Sequence, residues 1–193
     1  MKQYTSPPQH ERRPDENATD LLLGRLRTNP SVPIYEIAQG DGTYRPVSTA
    51  DFIDEVKQIA KGLIAAGIEP GDGIGILSRT RYEWALADWA VWWSGGISIP
   101  IYETSSPSQI QWIAADSAAK YVLVESTRHK EDVESVRGEL PELEHLGVLE
   151  DGILEALKAR GAEVSDEDLE ARRTSRRLDD IATIIYTSGT TGR

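Results

Sequence analysis

The sequence predicts an α/β protein with a doubly wound, mostly parallel sheet, and two observations indicate this fold class. Amphipathic helical patterns alternate with short apolar runs between residues 48 and 124, which is the order of elements that builds a parallel sheet. The runs show little polar alternation, as is typical of parallel strands buried on both faces. We therefore expect helices to cover both sides of one sheet.

The amino-terminal part divides into a tail and a hairpin. Residues 1–17 are polar and contain Pro7, Pro8 and Pro14, which predicts a disordered tail, with the folded domain at residues 18–193. Residues 33–37 and 43–47 flank a turn built from Gly40, Asp41 and Gly42. This pattern predicts a short antiparallel ribbon.

Capping residues and apolar spacing predict the remaining elements. Ser48 and Asp51 have the spacing of a capping box, and apolar residues then recur every three or four positions until Gly67, a predicted C-terminal cap. Residues 125–180 are more charged and are predicted to be peripheral, with a solvated last helix. The predicted helices cover 52–66, 82–93, 106–119, 153–160 and 166–177, and the strands 74–78, 97–101, 120–124, 146–149 and 180–186.

Composition excludes several classes of function. The net charge of -11 disfavours nucleic acid as a partner, although a local ring of backbone amides can still hold a small anion. The absence of cysteine excludes a disulfide framework and a thiolate nucleophile, and it suits the cytoplasm. His10, His129 and His145 lack metal-ligand spacing, so no metal site is predicted. No apolar run approaches the roughly 20 residues of a membrane-spanning helix.

One glycine cluster imitates a dinucleotide-binding motif. Gly71 and Gly73 precede a predicted strand and Gly75 lies at its start, whereas the dinucleotide fingerprint follows a strand and opens a helix. We therefore assign no cofactor role to these glycines.

The candidate site is the loop that follows the last predicted strand. Ligands of α/β proteins gather at the carboxyl ends of strands, and glycines and hydroxyl side chains allow backbone N–H groups and side chains to surround a phosphate. The loop differs from a Walker loop because it lacks the Gly-Lys-Ser/Thr ending, so the residues alone leave phosphate binding and a mobile terminal segment both open. The candidate phosphate-binding residues are Thr187, Ser188, Gly189, Thr190, Thr191 and Gly192.

Residues 186–193, with the sequence YTSGTTGR, resemble the phosphate-loop signature of the acyl-adenylate-forming, or AMP-binding, superfamily. Residues 71–84 and 100–106 are similar to the long-chain fatty acyl-CoA synthetase branch, and the resemblance covers most of residues 18–193. The resemblance implies an ATP-dependent ligase that forms an acyl adenylate from a fatty acid and transfers the acyl group to CoA, with Mg²⁺ assisting.

The same resemblance implies that residues 18–193 are an incomplete amino-terminal domain, cut within its phosphate loop. The magnesium-binding glutamate, the acyl tunnel and the catalytic lysine of the family follow this loop, so no catalytic residue is assigned here. We expect little or no adenylating activity from these 193 residues alone. Peripheral membrane association would suit a lipid substrate, although no basic amphipathic helix stands out.

Two alternatives stay open at this point. One is a short, catalytically inactive domain that binds a partner or a nucleotide. The other is a different adenylate-forming enzyme, such as an acyl-AMP ligase, an aryl-CoA ligase or a peptide-synthetase adenylation domain.

Overall fold

The computed structural model describes residues 6, 13 and 15–187 of the chain. Most of the predicted tail, and all of the candidate loop after Thr187, lie outside these residues. The helices are α1 (Asp20–Thr28), α2 (Thr49–Ala65), α3 (Tyr82–Trp93), α4 (Pro107–Asp116), α5 (Thr127–Glu134), α6 (Ile153–Arg160) and α7 (Asp166–Thr174). The strands are β1 (Pro33–Ala38), β2 (Tyr44–Ser48), β3 (Gly73–Leu77), β4 (Ile97–Ile101), β5 (Ala119–Val124) and β6 (His145–Val148).

The doubly wound parallel sheet is confirmed. Strands β3 to β6 pair in parallel in the order β4-β3-β5-β6, while β1 and β2 form the predicted antiparallel ribbon. Ile76 and Leu123 pack on one face with α2, α3 and α6, and Ile99 and Val122 pack on the other face with α4 and α5. The alternating direction of side chains along each strand thus supplies two apolar layers from one sheet.

Helix α2 begins and ends as its sequence predicts. The hydroxyl of Ser48 accepts a hydrogen bond from the backbone N–H of Asp51 at 3.1 Å. At the other end Gly67 has a φ of +93°, and the N–H of Ile68 returns to the carbonyl of Leu63. A positive φ is accessible to glycine without a Cβ clash, so Gly67 terminates the helix.

The prediction that residues 125–180 are peripheral is wrong for α6. Leu154 and Leu157 are buried, and α6 packs directly on α2. The two helices approach so closely at Gly62 that a Cβ there would clash with the backbone of Leu157. A glycine inside α2 therefore allows the close contact with α6.

The prediction of a solvated last helix is confirmed for most of α7, whose residues are mainly exposed, but Arg173 is buried. Its guanidinium donates to Thr19 Oγ1 at 2.8 Å and to Asp20 Oδ1 at 3.0 Å, and it also pairs with Glu170. The helix ends at Thr174, before the predicted residue 177. Asn17, in the predicted tail, is itself buried and donates to the carbonyls of Arg173 and Arg176, which ties this helix end to the start of the fold.

A buried carboxylate connects α3 to the edge strand of the sheet. Asp88 is 8% exposed, and its Oδ1 accepts a hydrogen bond from the hydroxyl of Ser98 on β4. Burial raises the pKa of Asp88, and the hydrogen bond from Ser98 opposes that rise. The Ser98 donor therefore stabilises the ionised form of a carboxylate that has lost most of its water.

A second buried carboxylate ties the carboxyl ends of β3 and β5 together. Glu125 is 6% exposed, and its Oε2 accepts from the N–H of Arg79 at 2.9 Å and from the Ser78 hydroxyl at 3.2 Å. Its Oε1 lies 2.9 Å from Arg79 Nε and 3.7 Å from Arg81 Nη1. Glu125 thus satisfies the first donors that follow β3.

The first prediction concerns the Ser98→Ala variant. Because the folded pKa of Asp88 lies above the unfolded value, stability falls as pH rises from about 4 through the folded pKa. Loss of the Ser98 donor raises that pKa further, so the destabilisation by Ser98→Ala should increase with pH through this window, reaching about 1–3 kcal/mol at pH 7. Urea unfolding between pH 4 and pH 8 measures it.

Ser94→Ala is the matched control. The Ser94 hydroxyl is fully buried but donates to the neutral carbonyl of Val91, so its loss should cost the same at every pH in this range. A parallel pH dependence of the two variants would contradict the proposed coupling between Ser98 and Asp88.

The second prediction compares two carboxylates that face Arg81. Glu125→Ala leaves the N–H of Arg79 without its acceptor and the guanidinium of Arg79 without its buried partner, so it should cost about 2–4 kcal/mol; the Ser78 hydroxyl keeps the carbonyl of Arg79 as acceptor. The Oε1 of Glu150 also lies 3.5 Å from Arg81 Nη1, but its side chain is 47% exposed, so Glu150→Ala should cost about 1 kcal/mol or less. Equal losses in denaturant titrations would show that Glu125 acts only through its charge.

Candidate functional site

The carboxyl ends of β3, β4 and β5 lie side by side at one edge of the sheet. The chain leaves β3 toward α3 on one face, whereas it leaves β4 and β5 toward α4 and α5 on the other face. Connections that diverge in this way open a crevice between neighbouring strands, which is where open α/β sheets bind ligands. The topology therefore singles out this edge as the candidate site.

The segment after α7 runs beside β4, the edge strand, toward the carboxyl ends of the strands. The N–H of Ser98 donates to the carbonyl of Ala182 at 3.0 Å, and the N–H of Ile184 donates to the carbonyl of Ser98 at 3.0 Å. The indole N–H of Trp92 adds a third bond, to the carbonyl of Ala182 at 2.9 Å. These bonds fix residues 182–184 parallel to the edge strand.

The predicted strand at residues 180–186 is wrong in extent, since only an isolated bridge between Ser98 and Thr183 forms. In a parallel ladder, the next donor on β4 after Ser98 is the residue two positions later. That residue is Pro100, which has no backbone N–H to offer the carbonyl of Ile184. The pairing therefore ends after one register step.

Beyond this bridge, a side chain holds the segment instead. The hydroxyl of Tyr186 donates to Asp116 Oδ2 at 2.7 Å, and its ring meets Trp112 edge to face, with centroids 5.1 Å apart. Burial, together with the bond to Asp116, raises the pKa of Tyr186 to about 12. The hydroxyl is consequently protonated at neutral pH, where it donates its hydrogen bond to Asp116.

A crevice of 240 Å³ opens between the ends of β3 and β4 and the segment that carries Tyr186. Its wall is apolar at Trp84, Ile101 and Ile185, and it carries hydroxyl groups at Ser78 and Thr80. A mixed lining of this kind suits a ligand that combines a polar group with an apolar body. The network around Glu125 fixes Ser78 from behind.

Thr187 is the only predicted phosphate-binding residue among those described, and its side chain is exposed directly after the anchored Tyr186. The other five lie outside the described residues, so their part in phosphate binding stays a prediction. They are Ser188, Gly189, Thr190, Thr191 and Gly192.

The sequence analysis did not identify the two residues that hold Tyr186, which are Trp112 and Asp116. Trp112 and Asp116 are four positions apart, and they lie off the buried face of α4 that Ile110 and Ile113 form. Residues at this spacing are neighbours on a helix surface. An exposed tryptophan beside an aspartate was the available signal, because it indicates a helix surface that contacts another part of the chain.

Of the three histidines, His129 and His145 bond to other parts of the protein, and His10 lies outside the described residues. The ring of His129 on α5 bonds the Ser126 hydroxyl and the carbonyl of Glu103, and His145 on β6 bonds the carbonyl of Ala66. In the described part of the chain no three His, Cys, Asp or Glu side chains come together as a metal site. Likewise, none of the described helices has the length and apolar character needed to cross a membrane.

The sequence is similar to those of known long-chain-fatty-acid–CoA ligases. The long-chain-fatty-acid–CoA ligase FadD15 of Mycobacterium bovis is 38% identical over 181 residues, covering 92% of this chain and 30% of that protein. The chain thus spans less than a third of the length of this relative.

Two solved structures share the fold. A long-chain-fatty-acid-CoA ligase, FadD1 of Archaeoglobus fulgidus, superposes with a TM-score of 0.78 at 17% identity, over 98% of this chain and 38% of that one. The anthranilate CoA ligase AuaEII superposes with a TM-score of 0.71 at 23% identity, over 93% of this chain and 33% of that one. The model of the family described as "AMP-binding enzyme" matches residues 25–193. The chain therefore belongs to the AMP-binding enzyme family.

Proposed function

We propose that this chain is the part of an ATP-dependent ligase that holds the phosphates of ATP, and that the complete enzyme joins a long-chain fatty acid to CoA. The observation that carries the proposal is the 38% identity to FadD15 over 92% of this chain. The matched family region extends to residue 193 and so includes the whole candidate loop. The crevice at the carboxyl ends of β3 and β4, which Tyr186 lines one residue before Thr187, supports the same assignment.

The proposed chemistry has two steps at one site. The fatty acid carboxylate attacks the α-phosphorus of ATP, the bond to the bridging oxygen breaks, and pyrophosphate leaves with that electron pair. The thiol sulfur of CoA then attacks the acyl carbonyl of the acyl adenylate, which expels AMP and releases the thiol proton. Both steps depend on positioning the reactants and on neutralising negative charge as it develops.

In this proposal residues 187–192 act in the first step. Backbone N–H groups and the hydroxyls of a loop rich in Thr, Ser and Gly can donate to the oxygens of the departing pyrophosphate. Mg²⁺ would supply further charge neutralisation. The described residues offer no cluster of acidic or histidine ligands for it, so we assign no Mg²⁺ ligand to this part of the chain.

The fold alone does not separate fatty acids from aromatic acids. The anthranilate ligase and the archaeal fatty-acid ligase both superpose on this chain at identities below 25%. The fatty acid assignment therefore rests on FadD15, whose sequence is much more similar. An aryl-CoA or acyl-AMP ligase and an inactive binding domain are the less favoured alternatives.

A cytoplasmic enzyme with peripheral membrane contact completes the proposal, because a long-chain acyl substrate partitions into lipid. Co-sedimentation of the complete enzyme with phosphatidylcholine vesicles tests the membrane contact. Recovery of all the enzyme in the supernatant would contradict it.

The third prediction concerns adenylate formation by the complete polypeptide. ATP–pyrophosphate exchange should require a long-chain fatty acid, since exchange reports reversible formation of the acyl adenylate. Thr190→Ala, which removes one proposed phosphate donor, should raise the KM for ATP about tenfold.

Thr127→Ala is the control, because Thr127 is exposed on α5 and should leave exchange unchanged. Exchange that requires an aromatic acid would favour the aryl-CoA alternative. A folded protein without exchange for any carboxylic acid would favour the inactive domain.

A further inference from the structure

Tyr186 occupies a distinctive position, one residue before the proposed phosphate loop. Three backbone and indole bonds hold residues 182–184 against β4 and α3. Pro100 ends that ladder, so the chain would enter the loop without a further backbone bond to β4. The bond from Tyr186 to Asp116 and its ring contact with Trp112 are the next contacts along the segment.

The helix that receives Tyr186 is itself firmly fixed. Ser106 and Gln109 form a reciprocal capping box at the start of α4. Ile110 and Ile113 on the same helix are buried against the sheet. Trp112 and Asp116 therefore lie on a helix that is packed against the sheet. Residues 184–187, which they hold through Tyr186, form no helix or strand.

The contact also leaves the polar groups well matched. Tyr186 is half-buried, and Asp116 is exposed at the last turn of α4. The hydroxyl has a charged acceptor, and the ring covers part of an indole that is 54% exposed. An edge-to-face aromatic contact and a charge-assisted hydrogen bond together restrict both the position and the rotation of one side chain.

We propose that Asp116 and Trp112 are positioning residues for ATP binding: they hold Tyr186 and thereby set the direction in which Thr187 and the phosphate loop leave the sheet. This inference rests on the proposed function of the loop. Neither residue touches a phosphate. Both act through Tyr186, in place of the ladder bond that Pro100 removes.

The test measures ATP binding and ATP–pyrophosphate exchange in the complete enzyme. Tyr186→Phe keeps the ring but removes the donor, and Asp116→Ala removes the acceptor. Each should raise both the Kd and the KM for ATP about fivefold to tenfold, with the KM for the fatty acid unchanged. The double variant should resemble either single variant, because both changes break one bond.

Two further variants separate positioning from folding. Asp116→Asn keeps an oxygen acceptor and should recover most of the wild-type affinity for ATP. Tyr44→Phe removes the hydroxyl of an exposed tyrosine on β2 and should change nothing. A purely structural role would lower the amount of active enzyme, and so the apparent kcat, without changing the KM for ATP.

The outcomes are distinct for the two proposals. Wild-type enzyme that fails to bind ATP would overturn the proposed function of the loop, and with it the positioning role of Asp116 and Trp112. If the wild-type enzyme binds ATP and the Tyr186→Phe and Asp116→Ala variants bind it with the same affinity as the wild type, only the positioning role of Asp116 and Trp112 is overturned. Additive effects in the double variant would show that Tyr186 and Asp116 act separately, which also contradicts the proposal.

Discussion

Ser98 is the residue on which the candidate site depends, because it joins three parts of the protein at the edge of the sheet. Its backbone pairs with Ala182 and Ile184, and its hydroxyl bonds the buried carboxylate of Asp88 on α3. A serine is well suited to this place, since its short side chain reaches Asp88 while its backbone stays in the strand. The segment that leads to Thr187 is therefore attached to both a strand and a helix.

Pro100 limits how far the edge strand β4 can pair with the segment after α7, because it has no backbone N–H. A missing backbone donor is tolerated in an edge strand but not in a central strand. Here the missing N–H limits the pairing to one bridge, between Ser98 and Thr183. The polypeptide is thus released from the sheet shortly before the proposed phosphate loop. Asp116 and Trp112 of α4 then hold Tyr186, so the last described residues of this segment depend on tertiary contacts more than on the ladder.

Much of the architecture could be predicted because its signals are local. The bounds of α3 and β4 follow from an apolar run closed by Gly95 and Gly96, and α2 follows from its caps. Helix α5 was missed because its buried face consists of Val133 alone, which gives no apolar period. The burial of Arg173 depends on Thr19 and Asp20, more than 150 residues away, and no local pattern encodes such a contact.

For the candidate loop, phosphate binding stays a prediction, and the sequence did not indicate the contacts that hold the residues before it. A Thr/Ser/Gly loop after an apolar run indicates a ligand site at the carboxyl end of the sheet, and Ile185 and Tyr186, just before the loop, line a crevice there. The contacts that hold the approach to the loop involve Trp112 and Asp116, about 70 residues earlier in the chain. Their partnership with Tyr186 arises only when α4 is folded against the sheet.

The assignment of the phosphate loop is tested most directly by a structure of the complete enzyme with a non-hydrolysable ATP analogue bound. We expect triphosphate oxygens about 3 Å from backbone N–H groups of residues 188–192, with Tyr186 still bonded to Asp116. A triphosphate held elsewhere, with this loop turned away from it, would contradict the assignment.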